Sequence, residues 1–212
     1  MNVGVLASGS GTNLQALVDR AAKGELGPAK LRVVGVNVPD CAALGRARTA
    51  GLPTFVVDHR DYKTRVDFDR ALLAALRAHQ VDLVVLAGFM RVLGEEVLAA
   101  FPQRVVNVHP SLLPAFPGVH AQRQSFDYGV RVAGCTVHFV DGGVDTGPVI
   151  AQAAVPVHDD DDEESLRARI LAEEHRLLPA VVRAVAERRV VVEGRRVRVL
   201  GAAPSGEVIR SL

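Results

Sequence analysis

Asn107 and His109 stand two positions apart at the end of an apolar run, and Pro110 follows at once. Side chains two apart on a strand leave the same face, so this spacing sets a neutral amide donor beside a titratable imidazole. Such a pair can donate to a developing oxyanion while the imidazole moves a proton. A histidine at a strand end can also be structural; the neighbouring Asn, the Pro and the irregular stretch that follows favour the chemical reading. Asp145, in the turn Asp141-Gly142-Gly143-Val144-Asp145-Thr146-Gly147-Pro148, is the third candidate. A carboxylate beside His109 would favour its imidazolium. Aspartate is equally a common turn former, and nothing in the sequence brings residues 109 and 145 together.

Ser8-Gly9-Ser10-Gly11-Thr12-Asn13 follows a short apolar run and precedes a helical pattern. A tight turn into a helix directs the first free N–H groups at the crevice, a place that suits phosphate. Leu14 occupies the position where the dinucleotide fingerprint needs a third small residue, and Gly9 is followed by Ser10 where a P-loop needs lysine. The segment therefore reads as an anion-binding turn or as a structural turn, and not as either of those motifs. With Val38-Pro39-Asp40 a weak ribose-binding acid at best, a nicotinamide oxidoreductase is disfavoured.

The other histidines read as ordinary. His120 and His138 could join His109 and Asp145 around a metal, but no short His-x-His or HExxH spacing supports one, so no metal is expected. The acidic run at residues 159–164 suits a solvated first turn of a helix, where carboxylates face the positive end of the dipole.

These residues need a scaffold, and the pattern supplies it. Short valine-rich runs at residues 3–7, 31–38, 53–57, 83–86 and 105–108 alternate with helical patterns at residues 14–18, 42–50 and 61–79. Runs apolar on both faces and separated by helices indicate βαβ units and a parallel sheet covered on both sides. After Pro110 a segment punctuated by Pro114, Pro117 and Gly118 runs to about Gly129 without a regular period. Two strands follow at residues 134–140 and 149–157, then a long helix, then a hairpin at residues 190–199. The expected fold class is α/β: a Rossmann-like, mostly parallel sheet with helices on both faces, in a single domain over 1–212.

Composition narrows the function classes. Hydrophobic residues are 49% and charged residues 23% of the 212, enough apolar surface to exclude a disordered chain. Lys+Arg number 25 against 24 Asp+Glu, so bulk electrostatics gives no reason to expect nucleic acid. With 4% aromatics and no Trp, a base-stacking platform is equally disfavoured. Cys41 and Cys135 match no metal spacing or disulfide framework, and no apolar stretch is long enough for a membrane span, so a cytoplasmic chain is expected. The N-terminal residues do not read as a signal peptide.

Several strings in register resemble a known family. Ser8-Gly9-Ser10-Gly11-Thr12-Asn13-Leu14, Leu86-Ala87-Gly88-Phe89-Met90-Arg91, Asn107-Val108-His109-Pro110-Ser111-Leu112-Leu113-Pro114, Thr136-Val137-His138-Phe139-Val140 and Asp145-Thr146-Gly147-Pro148 are similar to the 10-formyltetrahydrofolate-dependent formyltransferases. The Gly-Ser-Gly-Thr-Asn turn resembles the branch acting on glycinamide ribonucleotide in purine biosynthesis. The likeness runs over about residues 1–190.

The resemblance implies a formyltransferase fold with a phosphate- and ribonucleotide-binding half at about 1–105, a folate and catalytic half at about 106–190, and a C-terminal hairpin and tail at 190–212. It implies Asn107, His109 and Asp145 as the catalytic set. Gly11, Thr12 and Asn13 would cradle the ribonucleotide phosphate and Glu174 would hold its amine. Arg65, Met90, Arg91, Val92 and Leu93, with Asn107, would contact the folate. Implied partners are glycinamide ribonucleotide and 10-formyltetrahydrofolate as cosubstrate, with no metal, nucleic acid or membrane, in a monomer or homodimer. Ala115, where relatives often carry a basic residue, and Gln122, where some carry a second histidine, depart from the pattern. Among relatives, the initiator-tRNA enzyme is expected to carry a further basic domain. A formyltetrahydrofolate hydrolase is expected to carry an extra N-terminal one.

Overall fold

The computed structural model describes residues 1–201, and these separate into two compact units, Met1–Asn107 and a second that begins at Val108. In the first unit the elements follow as β1 (Asn2–Ala7), α1 (Thr12–Ala22), β2 (Lys30–Val36), α2 (Ala42–Thr49), β3 (Thr54–Val56), α3 (Arg65–Ala78), β4 (Leu83–Leu86), α4 (Glu95–Ala100) and β5 (Val105–His109), the last crossing the boundary. The pairs β1–β2, β2–β3, β1–β4 and β4–β5 are all parallel, giving the order β3-β2-β1-β4-β5.

All four residues of β4 are buried, as are the last five of β1. Because consecutive side chains point to opposite faces, both faces of this sheet are covered, which is why these strands read as unbroken apolar runs. The order runs outward from β1 to β3 in one direction and from β4 to β5 in the other. With right-handed crossovers, α1 and α2 fall on one face and α3 and α4 on the other; accordingly α1 packs with α2 and α3 with α4. The reversal between β1 and β4 opens a crevice at the carboxyl ends of the strands, where ligands of such sheets bind.

The second unit holds α5 (Ala121–Tyr128), β6 (Val132–Phe139), β7 (Val149–Pro156), α6 (Glu163–Ala186), β8 (Val190–Glu193) and β9 (Arg196–Val199). β6 and β7 are antiparallel, with Cys135 opposite Ala153 and Thr136 opposite Gln152. α6 packs on both strands, and Leu166, Ile170, Leu178, Val182 and Val185 are among its buried residues. The acidic run sets its start: the Asp162 carboxylate accepts from Ser165 N at 2.8 Å and the Ser165 hydroxyl accepts from Asp162 N at 2.9 Å, a reciprocal cap.

The α/β class and its mostly parallel pairing match the expectation, and the hairpin forms as β8–β9; the tail beyond Gly201 lies outside the described residues. Three local readings are corrected. The helix expected over residues 61–79 starts at Arg65, because Thr64 caps it by accepting from Asp67 N at 3.2 Å, while Asp61 closes a separate 3-10 turn. The six-residue α4 was absent from the reading. The stretch expected to be irregular to Gly129 contains α5, where only Ala121 and Ser125 are buried. That stripe, one apolar residue and one serine, is too narrow to give a hydrophobic period.

Leu14, the residue that breaks the dinucleotide fingerprint, is fully buried beneath the glycine turn. Leu14→Ala is expected to cost roughly 2–5 kcal/mol of stability by urea unfolding, as large-to-small changes in a packed core do.

Candidate active site

The glycine turn ends at Gly11, whose φ of 70° is left-handed and whose missing side chain is required by the approach of α2: a Cβ there would lie 2.6 Å from the Ala43 Cα. Gly11 caps α1 with no side-chain bond, and no acidic residue stands in the first turn of that helix. The N-terminal N–H groups and the positive end of the dipole therefore face the crevice without a competing carboxylate. Ala43 N donates to the Gly9 carbonyl at 3.0 Å, and the Arg46 guanidinium donates from Nε to the Ser10 carbonyl at 2.9 Å, so α2 both holds the turn and brings a cation to it. A cavity of about 210 Å³ is lined by residues 8–13 together with Ala87, Gly88 and Met90. Thr12 is half-buried and Asn13 buried at this mouth. The arrangement can hold a phosphate.

The far wall of the cavity comes from the chain after β4. Ser8 N donates to the Gly88 carbonyl at 3.0 Å, and Met90 N donates to the Ser8 hydroxyl at 2.8 Å, while that hydroxyl donates to the buried Asn37 at 2.6 Å. Met90, Arg91 and Val92 are exposed and Leu93 is buried. Asn107 is half-buried and pairs in register with Leu86, the residue before Ala87, so its side chain leaves the sheet beside the strand that feeds the cavity. Arg65 begins α3, its side chain largely exposed, with Nε 3.9 Å from Asp69.

The second unit contains a carboxylate surrounded by donors. Asp145 Oδ2 lies 3.3 Å from His109 Nδ1 and accepts from Gly118 N at 2.8 Å, and its Oδ1 lies 3.5 Å from His138 Nε2. Burial alone would raise this carboxyl's pKa. The bonds from His138 and Gly118 and the nearby imidazoles outweigh burial, so it sits below the ordinary carboxylate range. Its own turn does without it: the Asp141 carboxylate accepts from Gly143 N at 3.1 Å and from the Thr146 hydroxyl at 2.5 Å. Asp145 takes a left-handed φ of 54°, a turn conformation that aspartate tolerates.

His109 is buried, and its Nε2 lies 2.8 Å from the Phe116 carbonyl. A carbonyl only accepts, and an ionised Asp145 only accepts, so a ring with a proton on each nitrogen satisfies both. The Phe116 carbonyl is itself held in place, since the Ser111 hydroxyl bonds the carbonyls of Ala115 at 2.6 Å and Phe116 at 3.3 Å. Glu174 sits on the α6 stripe that packs on β6 and is buried. Burial first, and then the charge of Glu174, push the Cys135 thiol on β6 up to about 12.

The structure thus brings His109 and Asp145 together, and Gly11, Thr12 and Asn13 together with Met90. Sequence reasoning weighed His138 only as a metal ligand beside His109 and Asp145, and it missed Arg46 and Asp141. His138 carried a signal as a titratable residue inside the largely apolar run of β6, buried from Ala133 to Phe139, whereas Arg46 carried none, because only the packing of α2 on the turn places it. His120 is exposed and caps α5, away from this cluster's bonds. Among the described residues, no three His, Cys, Asp or Glu side chains are arranged to hold a metal ion.

A family model described as formyl transferase matches residues 1–182. The phosphoribosylglycinamide formyltransferase of Mycobacterium tuberculosis is 51% identical over 191 residues, covering 90% of this chain and 87% of that one. The Bacillus subtilis protein of the same name is 41% identical over 179 residues, covering 84% and 91%. The crystal structure of glycinamide ribonucleotide transformylase 1 from Symbiobacterium toebii superposes with a TM-score of 0.92 at 55% identity, over 94% of each chain.

A carboxyl whose folded pKa is depressed contributes stability above its unfolded value, about 3.9, and loses it as pH falls through the folded one. Asp145→Asn is therefore expected to be less stable than the parent at pH 7, with the gap narrowing only as the pH drops below about 4. Urea unfolding from pH 3 to 7 measures this, and a gap independent of pH would remove the charge of Asp145 from the account.

Proposed function

This chain belongs to the formyl transferase family, and on that premise we infer that it transfers the formyl group of 10-formyltetrahydrofolate to the amine of glycinamide ribonucleotide. The products are formylglycinamide ribonucleotide and tetrahydrofolate, in purine biosynthesis. One observation carries the chemistry: the Asp145 carboxylate leaves its own turn to Asp141 and stands 3.3 Å from the His109 ring. A turn aspartate with no chemical task has no reason to desolvate in that way.

The binding roles proposed are those that the family resemblance implies. Gly11, Thr12 and Asn13 take the ribonucleotide phosphate at the N-terminus of α1, with Arg46 adding charge. Glu174 takes the amine end of the ribonucleotide, as a buried carboxylate recognises a primary amine by charge and by accepting its hydrogens. Arg65, Met90, Arg91, Val92 and Leu93, with Asn107, contact the folate.

In the reaction the amine nitrogen attacks the formyl carbon, and the carbonyl electron pair moves onto the oxygen. The Asn107 amide and His109 Nε2–H donate to that oxygen, Nε2–H exchanging the neutral Phe116 carbonyl for a stronger, charged acceptor. Asp145 holds His109 in its doubly protonated form. Through an intervening water Asp145 passes a proton from the attacking nitrogen to N10 of the folate. The bond from the formyl carbon to N10 then breaks and the carbonyl re-forms. These donors polarise the carbonyl themselves, so the proposal needs no metal. His138 and Gly118 N–H keep Asp145 ionised. Among the described residues no helix is long and apolar enough to cross a membrane, and we place the reaction in the cytoplasm.

The direct test incubates the protein with 10-formyltetrahydrofolate and glycinamide ribonucleotide and measures product mass; formate release that ignores the ribonucleotide would instead mark a hydrolase. Asn107→Ala and His109→Ala are each expected to lower kcat by about 10²–10³ with folding intact, as loss of an oxyanion donor does. Near-normal turnover in either variant contradicts the assignment.

Thr12→Ala combined with Asn13→Ala is expected to raise the KM for the ribonucleotide and leave that for the folate unchanged. The reverse pattern in steady-state kinetics would exchange the two sites.

A further inference from the structure

The chain after β4 holds an exposed apolar stretch with no regular secondary structure: Met90 is 65% and Val92 46% accessible, with Arg91 exposed between them. Exposed apolar residues on an irregular segment are expensive to keep in one conformation, because water and backbone entropy both favour alternatives. This segment is pinned at both ends by side chains from distant elements. At its start, Met90 N donates to the Ser8 hydroxyl at 2.8 Å. At its end, Gly94 N donates to Asp69 Oδ2 at 3.0 Å in a buried bond.

Asp69 is an unusual anchor. It lies on the buried face of α3 with Phe68, Leu72, Leu73 and Leu76 and is only 2% accessible. Its second oxygen is buried without a hydrogen-bond partner. Burial raises its pKa, against the opposing effects of the Gly94 N–H and of Arg65, whose Nε lies 3.9 Å away. Glu96 works in the same direction as burial, and Arg91 against it. A half-satisfied buried carboxyl is a stability cost that an apolar residue would avoid. Gly94 is fitted to it, since a Cβ at that position would come 2.4 Å from Asp69 Oδ2.

We propose that Asp69 is a positioning residue for the folate: through the Gly94 N–H it pre-sets the segment from Met90 to Leu93. This rests on the folate reading of those residues given above. Asp69 touches no reacting atom in this account, and its effect is on affinity. A segment already held in its binding conformation does not pay the ordering cost when the ligand arrives.

Steady-state kinetics of formyl transfer test it, with the KM of each substrate measured at saturation of the other. Asp69→Ala is expected to raise the KM for 10-formyltetrahydrofolate roughly five- to tenfold, leaving kcat and the ribonucleotide KM within about twofold. Asp69→Asn keeps an oxygen for Gly94 N–H and is expected to restore the folate KM. Gly94→Ala, which crowds the anchor from the other side and leaves the α3 core intact, is expected to raise the folate KM as well; it reads out the proposal even if Asp69→Ala fails to fold. Met90→Ala runs in parallel. If Met90→Ala raises the folate KM while Asp69→Ala and Gly94→Ala do not, the anchor is refuted and the folate reading stands. If Met90→Ala leaves the folate KM unchanged, the folate reading of the segment fails and the anchor's function with it. A loss in Asp69→Ala that falls equally on both substrates, or that Asp69→Asn does not restore, overturns the proposal in favour of a structural role.

Discussion

A carboxylate can leave water only where donors replace the hydration it loses, and Asp145 meets that condition with three of them: His109, His138 and the N–H of Gly118. Each donor comes from a different stretch of the second unit, so this one group dictates several local structures at once. The loop carrying Phe116 and Gly118 must turn back over the end of β5, which it does with a left-handed residue at Phe116 and bonds from the Ser111 hydroxyl. β6 must deliver His138 into a buried position. The turn from β6 to β7 must close without Asp145, and Asp141 does that closing.

A different division of charge governs the first unit. The N-terminus of α1 can accept an anion: the cap is a glycine, the first turn has no acid, and Arg46 brings a cation to the turn. The start of α6 is the counterexample within the same chain. There Asp162 caps the helix and Glu163 and Glu164 stand in the first turn, so the dipole is already satisfied by the protein. Two helix starts of one chain thus differ in what neutralises them, through a few residues at each cap.

Polar groups that interrupt apolar faces mark where the fold bears a cost. Glu174 occupies a core position on α6 between Ile170 and Leu178, and Asp69 does so on α3 between Phe68 and Leu72. Either helix would pack more favourably with an apolar residue there. Retaining a carboxyl at such a position is intelligible when it has a task, and both lie where a ligand or a ligand-contacting segment is assigned.

How much of this was legible in the sequence depends on the range of the interaction concerned. Alternation of short valine-rich runs with helical periods is a local property, and it sufficed for the parallel β1–β5 core and for the α/β class, because strands covered on both faces must be apolar at successive positions. The glycine turn before α1 and the same-face spacing of Asn107 and His109 were equally local. The resemblance in motif strings added the formyltransferase family, through residue identity at fixed spacings. Local patterns failed where the stripe was polar or short, as in α5 and α4. They could say nothing of pairs remote in the chain. That Asp145 faces His109 instead of serving its own turn, that Arg46 reaches Ser10, and that Asp69 meets Gly94 are decided by how helices and loops pack. Those contacts join residues whose spacing carries no period, so only the tertiary structure, which sets which desolvated groups must satisfy one another, could decide them.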